Sequence, residues 1–164
     1  MDILAVLQDE LEQEFHVTKR FFELYDDNLK EYRPHPKNMT MAHLATHIAQ
    51  IFSWSGTMLE TDFLDLAQSS EAPVLDSRES LLASLDAGYH TSAQALGEGR
   101  LADLEPIWQL RHGDHLIAQW TVYGAIRHSL NQITHHRAQL GVYYRLNEIP
   151  LPVSYGPTAD NTGF

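Results

Sequence analysis

An apolar stripe at helical spacing, returning four times along the chain, constrains the fold more than any other feature. Leu4, Leu7, Leu11, Phe15, Phe22, Tyr25 and Leu29 recur at steps of three, four or seven, with Glu, Asp, Gln and Lys between them, the period of one face of an α-helix. The spacing predicts a first helix over 3–31. Pro34 and Pro36 then break the pattern, since neither can donate a backbone N–H. A second run, Met41, Leu44, Ala45, Ile48, Ile51 and Phe52, begins after Thr40, a residue suited to capping, and extends to about Glu60. A third carries Leu82, Leu85, Tyr89, Ala93 and Leu96. Asp76 and Glu79 open it at capping-box spacing, and Gly97 and Gly99 stop it. The fourth covers about 121–146, with Val122, Ile126, Leu130, Ile133, Leu140 and Tyr144 inward, and Pro150 and Pro152 beyond its end.

Four amphipathic helices in 164 residues bury their stripes against one another, so the expected class is an all-α four-helix bundle in a single domain, 1–164. Two connections are long. Residues 62–74 read as loop-rich. IWQLRHGDHLIAQW alternates loosely about Gly113 and Asp114, predicting a short hairpin or extended excursion before the last helix. VSYGPTADNTGF reads as an extended tail.

The formal charge of -11, from 22 acidic and 11 basic residues, sets the chain against nucleic acid and anionic lipid, both of which repel it at long range. No apolar run approaches the roughly 20 residues that span a bilayer. MDILAVLQDELEQEF has no basic leader region, so no signal peptide is read and a cytoplasmic location is expected. There are no cysteines, so any bound metal must be held by nitrogen and oxygen.

The chain's ten histidines concentrate attention on NQITHHRAQLG, residues 131–141. His128, Gln132 and His136 step by four along one face of the fourth helix, and Ile133 and Leu140 should tilt His136 inward. In the second helix His43 and His47 share a face, and His47 borders the buried stripe between Leu44 and Ile51. Bundles build metal sites from inward side chains on facing helices, and the set that converges best is His47, Gln132 and His136. His128 and His136 lie about 12 Å apart along the helix rise, too far to share an ion readily. A lone inward histidine is more often a hydrogen-bonded core residue than a ligand, so both readings stand on spacing alone. His16, His35, His90, His112 and His115 read as surface or loop residues.

RPHPKNMTMAHLATHIAQ and RHSLNQITHHRAQLGVYYRLNEIPLPVSYGPTAD together resemble the DinB-like family of four-helix bundles, which includes the YfiT-type proteins. The first resembles the proline-containing loop and "LAxHI" helix of that family. The second resembles its last helix and tail, of the form N-H-x-x-H-H-R-G-Q-L followed by IP and YGP. The resemblance implies a divalent metal (zinc, nickel or manganese) held by three histidines, one matching His47 and another His136. The remaining histidine position is occupied here by Gln132, and Ala138 replaces the customary glycine. Three outcomes follow from Gln132: the amide oxygen ligates, water replaces the ligand, or the chain carries no metal. An amide oxygen is a weaker donor than imidazole toward Zn²⁺ or Ni²⁺.

The resemblance further implies a metal-dependent transferase or hydrolase acting on a small molecule. Its relatives include enzymes that join bacillithiol, mycothiol or glutathione to electrophiles, and a maleylpyruvate isomerase. Arg137 and Tyr143 are candidates for meeting an anionic cosubstrate, although an arginine on a helix is more often solvated or paired. The alternative is a non-catalytic bundle that binds a ligand or partner after losing one imidazole. A homodimer is expected by resemblance.

Overall fold

A computed structural model describes residues 2–69 and 73–162. Residues 70–72, within the predicted loop 62–74, and 163–164, at the end of the predicted tail, lie outside the described residues. The chain forms five α-helices, α1 (Ile3–Glu23), α2 (Met41–Ile51), α3 (Trp54–Glu60), α4 (Arg78–Glu98) and α5 (Val122–Leu146). A small sheet of β1 (Phe63–Asp65), β2 (Ile107–His112) and β3 (His115–Thr121) accompanies them. The architecture is therefore mostly helical with a sheet, and not the purely α, four-helix arrangement that the stripes predict.

Two of the predicted helices are cut short by contacts far away in sequence. The first stops at Glu23, and Leu24 and Tyr25 close it with tight bonds to the carbonyls of Phe21 and Phe22. Tertiary donors take over there: the Tyr144 hydroxyl donates to Phe21 O at 2.8 Å, and the Arg78 guanidinium donates to Tyr25 O at 2.7 and 2.9 Å. With those carbonyls occupied, Asp26 caps a separate short turn over Asp27–Leu29. Tyr25 nevertheless keeps its place in the core, fully buried.

The second run breaks at Phe52 and Ser53, splitting one predicted helix into α2 and α3. The buried Ser92 of α4 satisfies both sides of the break. Its hydroxyl donates to Phe52 O at 2.6 Å and accepts from Gly56 N at 3.1 Å. Gly88, one turn earlier on α4, permits this approach, because a Cβ there would lie 3.1 Å from Ser53 N and 3.3 Å from Ala49 O. A helix end inside a protein needs such replacement partners.

The caps follow local rules with two adjustments. Thr40 caps α2 through His43 N, and Thr121 caps α5 through Gly124 N. Ser77, not Asp76, caps α4 by accepting from Ser80 N at 3.2 Å, while Asp76 pairs with Lys30 at 2.8 Å. Helix α4 continues through Gly97 to Glu98, and Gly99 ends it in an extended conformation. Its buried residues are Leu81, Leu85, Gly88, Ser92 and Leu96, so Leu85 and Leu96 of the predicted stripe are buried, while Leu82, Tyr89 and Ala93 stand half-buried beside it.

The predicted hairpin is present. Strands β2 and β3 pair antiparallel with Trp108 opposite Trp120 and His112 opposite His115. Gly113 supplies the positive φ of 58° that a two-residue turn of this kind needs. The short β1, inside the stretch expected to be loop, adds to β2 in parallel. Asp65 ties it to the turn by accepting from Gly113 N at 2.8 Å. The sheet leans its Trp108 side on the helices, and α1, α2, α4 and α5 enclose the core that their stripes share. No helix among the described residues is long and apolar enough to cross a membrane.

Candidate functional site

Helices α2 and α5 pack together and bring His47 and His136 face to edge, their ring centroids 4.6 Å apart and their planes at 79°. Each ring is half-buried. Gln132, one turn before His136, places its Oε1 at 2.9 Å from His136 Nε2. Of the three positions singled out by helical spacing, His136 therefore touches both His47 and Gln132. His43, on the same face as His47 by spacing, is exposed, as is His135. His16, His35, His90, His112 and His115 are exposed too.

His128 does not join this group. Helix α5 is regular through this region, and His128 stacks on Trp120 at 4.9 Å and 24°. Among the described residues no three His, Cys, Asp or Glu side chains gather as an ion site. The third donor beside His47 and His136 is the amide of Gln132.

Burial lowers the acidity range of both imidazoles. His47 falls from the ordinary 6.5 to about 4, first because burial disfavours its cation and then because His136 and His43 lie close. His136 is also lowered, chiefly by burial. Both rings are neutral at pH 7, the form that ligates a metal.

Two amides flank the His136 ring, an arrangement that spacing did not reveal. The amide NH₂ of Gln139 lies 2.9 Å from His135 Nε2, and its oxygen lies 3.3 Å from His136 Nδ1. A neutral imidazole carries one N–H, so His136 donates to one of these two amide oxygens, and Gln132 Oε1, 2.9 Å from Nε2, is the nearer. A ligating histidine that donates its other N–H to an oxygen is the usual outer support of such sites. In chemistry, two imidazoles and one amide oxygen are donor types that a divalent ion accepts.

Arg137 and Tyr143 serve the scaffold and do not face this group. Arg137 is buried and paired with the buried Glu14 of α1. Its guanidinium also donates to Thr18 Oγ1 at 3.0 Å and to the Tyr155 hydroxyl at 2.8 Å, and Tyr155 donates to Glu14 Oε1. This network straps the C-terminal tail onto α1 and α5, helped by Arg145 donating to Asp160 at 2.9 Å. Tyr143 is buried and donates to Met39 O at 3.0 Å.

Beside His47 opens a cavity of about 300 Å³ whose wall includes Trp54, Trp108, Trp120, Leu64, Leu110 and His128. The two paired strands hint at it in sequence, since Trp108, Leu110 and Trp120 fall on one side of the hairpin. What sequence did not disclose is that this side faces His47. A larger depression of about 570 Å³ beside Asp26, Asp27 and Glu79 is open to solvent and remote from the histidines.

Comparison with known proteins agrees with this architecture. The model of the DinB family matches residues 6–157. The chain belongs to the DinB family. Among solved structures it is similar to a DinB-like protein from Bacillus subtilis, with a TM-score of 0.70 and 17% identity, covering 90% of this chain and 96% of that one. A candidate member of the family from Exiguobacterium sibiricum superposes with a TM-score of 0.71 at 17% identity, over 93% and 97% of the two chains. A DinB-like protein from Bacillus cereus gives 0.71 at 17%, over 91% and 95%. At such identity the likeness is one of fold. No curated protein matches the chain.

Proposed function

We propose that this DinB-family chain is a metal-dependent enzyme that transfers a thiol to, or hydrolyses, a small-molecule substrate, with His47, Gln132 and His136 holding the ion. The approach of the His47 and His136 rings to 4.6 Å, from helices far apart in sequence, carries the reading. Bound there, a divalent ion supplies Lewis acidity that lowers the pKa of a thiol or water and so furnishes a nucleophile at neutral pH. Burial keeps His47 and His136 unprotonated and therefore available as donors. With an ion on Nε2, the His136 N–H would stand on Nδ1, where Gln139 Oε1 lies 3.3 Å away. The chain's lack of cysteine means that a thiol nucleophile must come from a cosubstrate.

Metal content of protein purified without an affinity tag, followed by titration of wild type, His47→Ala and His136→Ala with zinc, nickel and manganese, tests this. Binding that both substitutions abolish is expected. Equal binding by all three proteins would overturn it. A second reading, a non-catalytic dimeric bundle, draws on Gln132 alone: it requires that wild type bind no metal and that Gln132→His create the site. Light scattering on the eluted protein tests the dimer.

A further inference from the structure

The cavity beside His47 has the chemistry of a site for an uncharged aromatic molecule. All three tryptophans of the chain, Trp54, Trp108 and Trp120, stand in its wall. They come from three different elements, α3, β2 and β3. Aromatic faces and edges at several angles favour a planar π system through offset or edge-to-face contacts. Met58, Leu64, Leu66 and Leu110 supply the remaining apolar surface.

Two of the polar groups in the wall are committed, Trp108 Nε1 to Thr61 Oγ1 at 3.1 Å and Thr57 to Ser53 O at 3.4 Å, and His128 is stacked on Trp120. Among the described residues no Lys, Arg, Asp or Glu lines the wall, so no permanently charged side chain is there to offset a buried ligand charge. The formal net charge of -11 adds to the bias against anions. An apolar cavity of roughly 150 Å³ holds benzene, so 300 Å³ accommodates a one- or two-ring ligand. His47 spans both features: it is in the cavity wall, 5.7 Å from Trp54, and its ring meets His136 on the other side.

We infer that this cavity binds a neutral, planar one- or two-ring aromatic molecule, oriented with its reactive end at His47. That the molecule is the electrophile of the reaction rests on the metal-site reading; that the cavity binds it does not.

Quenching of the three tryptophans reports occupancy directly. Naphthalene-2-methanol and 2-naphthoate have the same ring system and differ in charge. In metal-stripped protein the neutral compound is expected to quench saturably at one site and to bind at least tenfold more tightly than the carboxylate. Thr57→Trp, which fills the cavity, should weaken it at least tenfold. Leu66→Lys, at a lining position 41% exposed and so tolerant of charge, should narrow the neutral-to-anion ratio at least threefold. His136→Ala, outside the cavity wall, should leave naphthalene-2-methanol binding within twofold while metal binding is lost. Equal binding of alcohol and carboxylate would overturn the inference. So would undiminished binding in folded Thr57→Trp, or an unchanged ratio in Leu66→Lys. Probe binding without metal binding would overturn the metal reading alone; metal binding without probe binding would overturn this one alone.

Discussion

Replacing Gln132 by histidine tests the candidate centre most directly, because it changes one donor at a place already occupied by one. Gln132 Oε1 lies 2.9 Å from His136 Nε2, and the two residues are a helical turn apart on one face. An imidazole at 132 therefore starts beside the His136 ring nitrogen with which it must share the ion. Supporting interactions alone shift metal affinity by about 10- to 100-fold, so a direct nitrogen donor in place of a neutral oxygen should tighten zinc at least that much, about 1.4–2.7 kcal/mol. Protons compete little at His47. At pH 5 an ordinary histidine of pKa about 6.5 would weaken binding about thirtyfold through protonation. His47, at about 4, would forfeit only about a tenth by the same arithmetic. Chelator competition at pH 7 and pH 5 on wild type, Gln132→His and His47→Ala/Gln132→His is the assay. The gain should appear in Gln132→His and vanish with His47→Ala. A Gln132→His protein that binds zinc no better than wild type, or keeps its gain without His47, refutes the claim that 47, 132 and 136 share an ion.

Three further outcomes follow from the scaffold. Ser92→Ala leaves Phe52 O and Gly56 N without their bridging hydroxyl and should cost about 2–4 kcal/mol in urea unfolding; a cost below about 1 kcal/mol would mean that the break between α2 and α3 is satisfied by other means. Arg137→Met strands the buried Glu14 carboxylate and should cost about 3–5 kcal/mol, most of it recovered in Arg137→Met/Glu14→Leu; equal destabilisation of single and double variants would contradict that account. Because the folded pKa of His47 is depressed from 6.5 to about 4, the unfolded chain takes up the proton first. The stability this gives is complete above pH 6.5 and is lost as pH falls through that window. His47→Asn should flatten the dependence of the unfolding midpoint between pH 7 and pH 4.5, and parallel curves would refute the assignment.

Much of the helical framework was legible in sequence because it is set by local periodicity. The stripes of α1, α2 and α5 are the buried ones, and Thr40 and Thr121 cap where short-range hydrogen bonding says they should. The approach of His47 to His136 could be read from the same periodicity, since inward faces of helices in one bundle must approach. Helix ends were read less well. Asp76 and Ser77 offer neighbouring caps of similar strength, and Lys30, 46 residues away, engages the first.

What the tertiary structure alone decided is long-range. Arg78 and Tyr144 end α1, Ser92 and Gly88 divide α2 from α3, and Glu14 claims Arg137, in each case through a partner remote in sequence. Strand β1 has three residues, too few for a period to declare itself, and its pairing with β2 arises only once α4 has carried the chain across. The tryptophan-walled cavity belongs to the same class. Periodicity says which side of an element is apolar, but whether apolar sides close together or stand apart around a space depends on how three elements are set against a fourth.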